Sequence, residues 1–248
     1  MPWRMGRSLC ALALAALSGC VTVSDAPLRP KPSAGPGPVF AVWYTGVGGF
    51  GDPDRRVIQQ LTDRGIAVVE VNSRQYFWRR RTPEEAAAAL GDIIRRYSQT
   101  WPDRKVAVIG YSFGGAAVPM ILPHLDPDLR QRIRLVVLVA PSPRGQLVMR
   151  PWTLVDIFDQ GDPRTADTAK ALETPILCIY GVQDRLAACP SLTNATSVAI
   201  PGGHKLEGQD GAIADAVSRA LETTADRAPA PGPAALPPGT DKGPSVNP

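Results

Sequence analysis

Apolar, β-branched runs alternate with amphipathic stretches through residues 39–221. Two of these runs, Ile66-Ala67-Val68-Val69 and Leu135-Val136-Val137-Leu138-Val139, contain no polar position. A strand of that kind has both faces covered, as a parallel strand does when it is buried between helices. The pattern predicts strands over residues 39–44, 66–72, 106–110, 135–140, 176–181 and 197–200. Between them, helices are predicted over 54–64, 83–98, 114–124, 165–172 and 209–222. Thr82-Pro83-Glu84-Glu85 opens the second helix well. Thr82 can cap it, Pro83 suits the first turn, and the acids complement the positive end of the helix dipole. The alternation predicts an α/β fold, a doubly wound, mostly parallel sheet with helices on both faces. Residues 142–163, after the fourth predicted strand, break the rhythm and read as a short cap or a long connection.

The two ends differ from this middle. Arg4 and Arg7 flank the start of an uncharged apolar run over 9–17, and Leu17-Ser18-Gly19-Cys20 has the form of a bacterial lipobox. Residues 1–19 are therefore expected to be a signal peptide, with Cys20 acylated and the chain held at a membrane surface by lipid. The apolar run is far shorter than the roughly 20 residues of a spanning helix. Val21 rather than Asp after the cysteine favours sorting to the outer membrane of a Gram-negative cell, so the expected location is the periplasm. Residues 20–38 include Pro27, Pro30, Pro32, Pro36 and Pro38 and read as a tether that does not fold compactly. Residues 225–248 are again rich in proline and read as a disordered tail. The expected folded domain is 39–224.

Composition narrows the function. A chain of 248 residues with 44% hydrophobic and 20% charged residues suits one medium globular domain. The net charge of +4 is a mild excess, and Arg79-Arg80-Arg81 is the longest basic run. That is no clustered basic face, so no nucleic-acid partner is expected. With 2 histidines in the chain, a histidine-rich metal site is excluded, and no cofactor is expected. Cys178 and Cys189 remain once Cys10 and Cys20 are assigned to the leader and the anchor, and in an oxidising compartment they read as a disulfide.

Gly110-Tyr111-Ser112-Phe113-Gly114 is a G-x-S-x-G sequence between a predicted strand and a predicted helix. That context is the nucleophile elbow of α/β-hydrolases, in which the turn lifts the serine off the sheet. Serine needs a base. Of the two histidines, His204 follows the last predicted strand, where that fold places its base, whereas His124 ends the helix that begins at the elbow and reads as structural. Asp184, just past the fifth predicted strand, completes the order Ser112, Asp184, His204; Asp156 and Asp159 are weaker alternatives. A Cys178–Cys189 bridge would close a loop around Asp184. The oxyanion hole is expected from the backbone N–H groups of Phe113 and Val47, with Gly48 next to it, in the loop Thr45-Gly46-Val47-Gly48-Gly49-Phe50-Gly51. Tyr76, Phe77 and Trp78 follow the second predicted strand and either line a substrate pocket or pack a loop onto the core.

Gly48-Gly49, Arg74-Gln75-Tyr76-Phe77-Trp78, Thr82-Pro83-Glu84, Ile109 to Gly114, Cys178-Ile179-Tyr180-Gly181, Cys189-Pro190 and Pro201-Gly202-Gly203-His204 together resemble the bacterial VirJ/AcvB virulence-protein family. The resemblance spans nearly all of residues 39–221. It implies an α/β-hydrolase fold, export to the periplasm, Ser112 as nucleophile and His204 as base. It also implies hydrolysis of lysyl-phosphatidylglycerol and, in some members, a link to type IV secretion. The family's loop usually reads G-D-G-G-W, where Gly46-Val47-Gly48-Gly49-Phe50 stands here. The family also often has Glu at Asp184 and a second His at Lys205. Val47 removes an acid that would face a cationic headgroup and leaves a backbone N–H.

The expected protein is a membrane-tethered serine hydrolase that cleaves an ester, above all an aminoacyl ester of a phospholipid. Its expected partners are that lipid, the membrane surface and secretion-system proteins. The other reading is a non-catalytic adaptor on the same fold. Retention of all three triad positions favours the enzyme.

Overall fold

The computed structural model describes residues 25–150 and 162–224. In chain order its elements are β1 (Leu28–Lys31), β2 (Val39–Tyr44), α1 (Asp52–Asp63), β3 (Ala67–Val71), α2 (Ser73–Tyr76), α3 (Pro83–Thr100), β4 (Lys105–Tyr111) and α4 (Phe113–Ile121). They continue with α5 (Pro127–Arg130), β5 (Ile133–Val139), α6 (Thr165–Ala169), β6 (Ile176–Gly181), β7 (Ala195–Ile200) and α7 (Asp210–Thr223). The strands form one sheet in the order β1-β3-β2-β4-β5-β6-β7. Every pairing is parallel except that of β1 with β3.

The apolar runs are explained by helices on both sides. Alternate residues of each strand point to opposite faces. Trp43, Ile109, Val137 and Ile179 join the core that includes Val57, Leu61, Ile213 and Val217, from α1 and α7. Val42, Val108, Val136 and Cys178 join the core that includes Leu90, Ile94, Ala117 and Ala169, from α3, α4 and α6. At the start of α3, the Thr82 hydroxyl accepts from the Glu85 N–H and the Glu85 carboxylate accepts from the Thr82 N–H, which ends the preceding loop sharply.

Three expectations need correction. Residues 28–31 do not belong to a loose tether: they pair with Val68–Val71 and extend the sheet by an edge strand. Pro30 is tolerated because an edge strand need not donate on its outer side. The segment is also drawn in by charge, since the Arg29 guanidinium lies 3.8 Å from the buried Glu70 carboxylate. The helix expected over 114–124 stops at Ile121 and tightens into a 3₁₀ turn over Leu122–His124, where Pro123 sits. The helix expected over 165–172 ends at Ala169. Of residues 142–163, the described ends bond to each other and to the domain: Gly145 N–H donates to Pro163 O at 2.9 Å, and Arg81 N–H donates to Leu147 O at 2.9 Å. Residues 151–161, with Asp156 and Asp159, lie outside the described residues, as do the expected signal peptide, Cys20 and the expected tail. Among the described residues, no helix is long and apolar enough to cross a membrane.

Candidate active site

Loops at the carboxyl ends of β2, β4, β6 and β7 bring the expected site residues together. Ser112 follows β4 at φ 52° and ψ −110°, a strained conformation for a residue with a Cβ. Glycine on either side makes the turn sterically feasible. A Cβ on Gly110 would stand 2.4 Å from Gly114 O, and one on Gly114 would stand 2.4 Å from Tyr44 O. The serine amide is held by Val139 O at 2.8 Å, so both β2 and β5 brace the elbow.

Ser112 Oγ lies 2.8 Å from His204 Nε2, and His204 Nδ1 lies 2.8 Å from Asp184 Oδ2. For the serine hydroxyl to donate, Nε2 must carry no proton. The proton then sits on Nδ1 and is donated to the carboxylate. Asp184 Oδ1 accepts from the Leu186 N–H at 3.0 Å, which fixes the carboxylate's rotation. Gly181 lets the two loops meet, because a Cβ there would stand 2.3 Å from Gly202 O. Cys178 and Cys189 are disulfide-bonded, with Cα atoms 5.5 Å apart, and the bridge closes the loop that carries Asp184. Ser112 is only 5% exposed, while the imidazole retains an opening to solvent.

The sequence reading missed two residues. Tyr111 donates its phenol hydrogen to Lys205 O at 2.9 Å and so ties the loop that carries His204 to the residue before Ser112. Burial raises its pKa well above that of a free phenol, which keeps it a donor. Its place in Gly-Tyr-Ser was the signal available. Asp54 at the start of α1 is 3% exposed and accepts from Trp43 Nε1 at 2.7 Å. Burial pushes its pKa up to about 7, against the pull of the Trp43 bond and of the Gly46 amide and with a further push from Glu70. Nothing in the local sequence marks that carboxyl as buried.

Gly46 packs on Ser112: a Cβ there would lie 3.5 Å from Ser112 Cβ. The loop expected to complete an oxyanion hole therefore runs beside the serine. Among the described residues, neither the Val47 nor the Gly48 N–H donates to a backbone carbonyl. Phe113 opens α4, and its N–H is one of the first-turn donors that a helix leaves without an internal acceptor. This arrangement can stabilise an anion that forms next to Ser112.

The three aromatic residues after β3 separate. Tyr76 and Trp78 line a cavity of about 560 Å³ that also touches Gly48 and Gly49. Phe77 does not line it. Its ring is fully buried and packs on Tyr44, Tyr76 and Phe113, because α2 turns it under the elbow. His124 lies in the 3₁₀ turn after α4, paired with Glu84 Oε1 at 3.0 Å. Among the described residues, no three His, Cys, Asp or Glu side chains cluster as metal ligands would.

A family model described as bacterial virulence protein (VirJ) matches residues 38–225. No curated protein matches the sequence. Similar solved structures include Est1E from Butyrivibrio proteoclasticus, with TM-score 0.56 and 14% identity over 81% of this chain and 94% of that one. A putative dienelactone hydrolase from Klebsiella pneumoniae subsp. pneumoniae gives TM-score 0.57 and 14% identity over 82% and 93%. The Paleococcus ferrophilus monoacylglycerol lipase gives TM-score 0.55 and 13% identity over 81% and 99%. At such identities the likeness establishes the fold, which is that of the α/β-hydrolases.

Proposed function

The chain belongs to the bacterial virulence protein (VirJ) family, and we propose that within it this member is a serine hydrolase that cleaves an ester through Ser112, His204 and Asp184. The observation that carries the reading is the continuous relay Ser112 Oγ, His204 Nε2, His204 Nδ1, Asp184 Oδ2, with 2.8 Å at each contact. Names among the structural neighbours, a dienelactone hydrolase and a monoacylglycerol lipase, accord with ester chemistry.

In the first half of the reaction, Ser112 Oγ bonds to the ester carbonyl carbon while His204 Nε2 takes the hydroxyl proton. The carbonyl π electrons move onto oxygen, where the Phe113 and Val47 N–H groups stabilise the charge. Collapse breaks the bond to the alcohol oxygen, which leaves with the proton from His204. In the second half, water adds to the acyl-enzyme, gives its proton to His204, and the acid departs as Ser112 recovers its hydrogen. Asp184 keeps the imidazole oriented and stabilises its charged form throughout.

For the substrate we propose an aminoacyl or acyl ester of a phospholipid, met at a periplasmic membrane to which Cys20 tethers the enzyme. Family membership and the lipobox-like Leu17-Ser18-Gly19-Cys20 support this choice. The test compares wild type with Ser112→Ala on a neutral 4-nitrophenyl ester and on lysyl-phosphatidylglycerol. Removing the nucleophile of a serine protease lowers kcat about 10⁶-fold, so hydrolysis should fall to background. A fluorophosphonate probe should label wild type and not the variant. Unchanged turnover by Ser112→Ala would overturn Ser112 as the nucleophile, and no turnover and no labelling of wild type would leave only a binding role.

A further inference from the structure

The cavity beside the oxyanion loop carries a charge pattern that the triad does not use. One wall is backbone at Gly48 and Gly49. Another is the segment after β3, with Asn72, Arg74, Gln75, Trp78 and Arg79. Gly46 packs on Ser112 and Gly48 is two residues further on, so the cavity begins no more than about 13 Å from the nucleophile, at 3.8 Å per Cα step. A substrate whose carbonyl sits at Ser112 can therefore extend into it.

The three arginines that line it are not equivalent. The Arg81 guanidinium is bonded to Asp25 and lies 4.6 Å over the Tyr76 ring, so it is part of a wall. Arg74 and Arg79 are exposed, and among the described residues neither has a carboxylate partner. Two unneutralised guanidinium groups on one concave surface favour an anion, and their planar donor fork fits phosphate oxygens. The cavity's 560 Å³ is many times the roughly 30 Å³ share of a water molecule, so the anion would be attached to a larger body. Trp78, 61% exposed, offers that body an apolar side. Among the described residues, no carboxylate without a partner lines the cavity to receive a cationic aminoacyl chain, since Asp25 is already taken by Arg81.

We propose that this cavity is the subsite for an anionic phosphodiester carried by the ester substrate, with Arg74 and Arg79 as its charged ligands and Trp78 as its apolar wall. The assignment rests on the reading of Ser112 as an ester-cleaving nucleophile. It divides the substrate: the carbonyl lies at Ser112, the phosphate lies over the segment after β3, and a cationic aminoacyl chain points elsewhere.

The experiment compares the Arg74→Gln/Arg79→Gln double variant with wild type on two esters of one acyl group, one neutral and one carrying a phosphodiester. The ratio of kcat/KM for the anionic over the neutral ester is expected to fall tenfold or more, mainly through KM. Arg80→Gln, which changes an exposed arginine outside the lining, should leave that ratio unchanged. An unchanged ratio in the double variant, or the same fall in Arg80→Gln, overturns the assignment. If wild type cleaves neither ester, the hydrolase reading has failed and binding decides the subsite alone. Ser112→Ala should then bind monomeric dihexanoyl-phosphatidylglycerol, and lose about tenfold in affinity when Arg74 and Arg79 are also changed. No binding, equal binding by both proteins, or displacement by inorganic phosphate at equal affinity overturns it.

Discussion

Ser112 holds a backbone conformation that an isolated serine would avoid, and the surrounding backbone leaves it no alternative. Gly114→Ala places a methyl group 2.4 Å from Tyr44 O, so soluble yield and thermal stability should both collapse. Asp184→Asn keeps the shape of the relay but favours the wrong imidazole tautomer. In serine proteases that change costs about 10⁴-fold in kcat, and a loss of that order with KM little altered is expected in steady-state kinetics. Asp54 acts on stability through protons. Its pKa is raised to about 7 in the folded protein, against 3.8 for a free side chain. Between those values the unfolded chain ionises while the folded one keeps its proton, so stability falls as pH rises from about 4 to about 7 and then levels. Asp54→Asn should remove that part of the slope, up to about 4 kcal/mol at neutral pH, in urea unfolding at pH 4.5, 6 and 8. Ser112, Asp184 and His204 were legible because each sits at a named place in a strand–loop pattern. Asp54 and Tyr111 were not, because their importance comes from what packs around them.

At the scale of elements, the loop between β6 and β7 illustrates how a local cross-link supports a distant partner. The Cys178–Cys189 bridge spans a sequence separation of 11. Chain-entropy arguments assign a loop of that size about 3 kcal/mol. Cys178→Ala/Cys189→Ala should therefore lower the melting temperature by about 6–12 °C in calorimetry. It should also lower kcat, since Asp184 loses its restraint. The strand β1 was illegible for the opposite reason. Its sequence, with Pro27, Pro30 and Pro32 close together, carries no alternation to read. It forms because β3 presents unpaired backbone groups and the buried Glu70 carboxylate calls for a cation, which Arg29 brings from a half-buried position. Arg29→Ala should release this edge. Burial already raises the Glu70 pKa against the pull of Arg29, Lys31 and Arg55, and loss of the arginine should raise it further. Faster amide exchange in residues 28–31, measured by mass spectrometry, is the check.

Across the whole molecule, one mostly parallel sheet gathers the loops that build the site at a single edge. β2 delivers the Gly46–Gly48 loop, β3 the arginine-lined cavity, β4 Ser112, β6 Asp184 and β7 His204. β2, β4 and β5 have partners on both sides and helices over both faces, whereas β1 and β7 are edges. Hydrogen exchange should accordingly be slowest in β2, β4 and β5 and faster in β1 and β7. The order of strands and helices, the elbow, the convergence of Ser112, Asp184 and His204, and the cysteine pair could all be read from the chain. Each is a local pattern, or an order along it, and backbone geometry converts such patterns into structure in few ways. The capture of residues 28–31 by the sheet, the burial of Phe77 beneath the elbow, the tie from Tyr111 to the histidine loop and the arginine-lined cavity emerged only on folding. They depend on which surfaces meet across the sheet, and the energy of a burial or a charge contact belongs to a pair of distant residues rather than to any stretch of sequence.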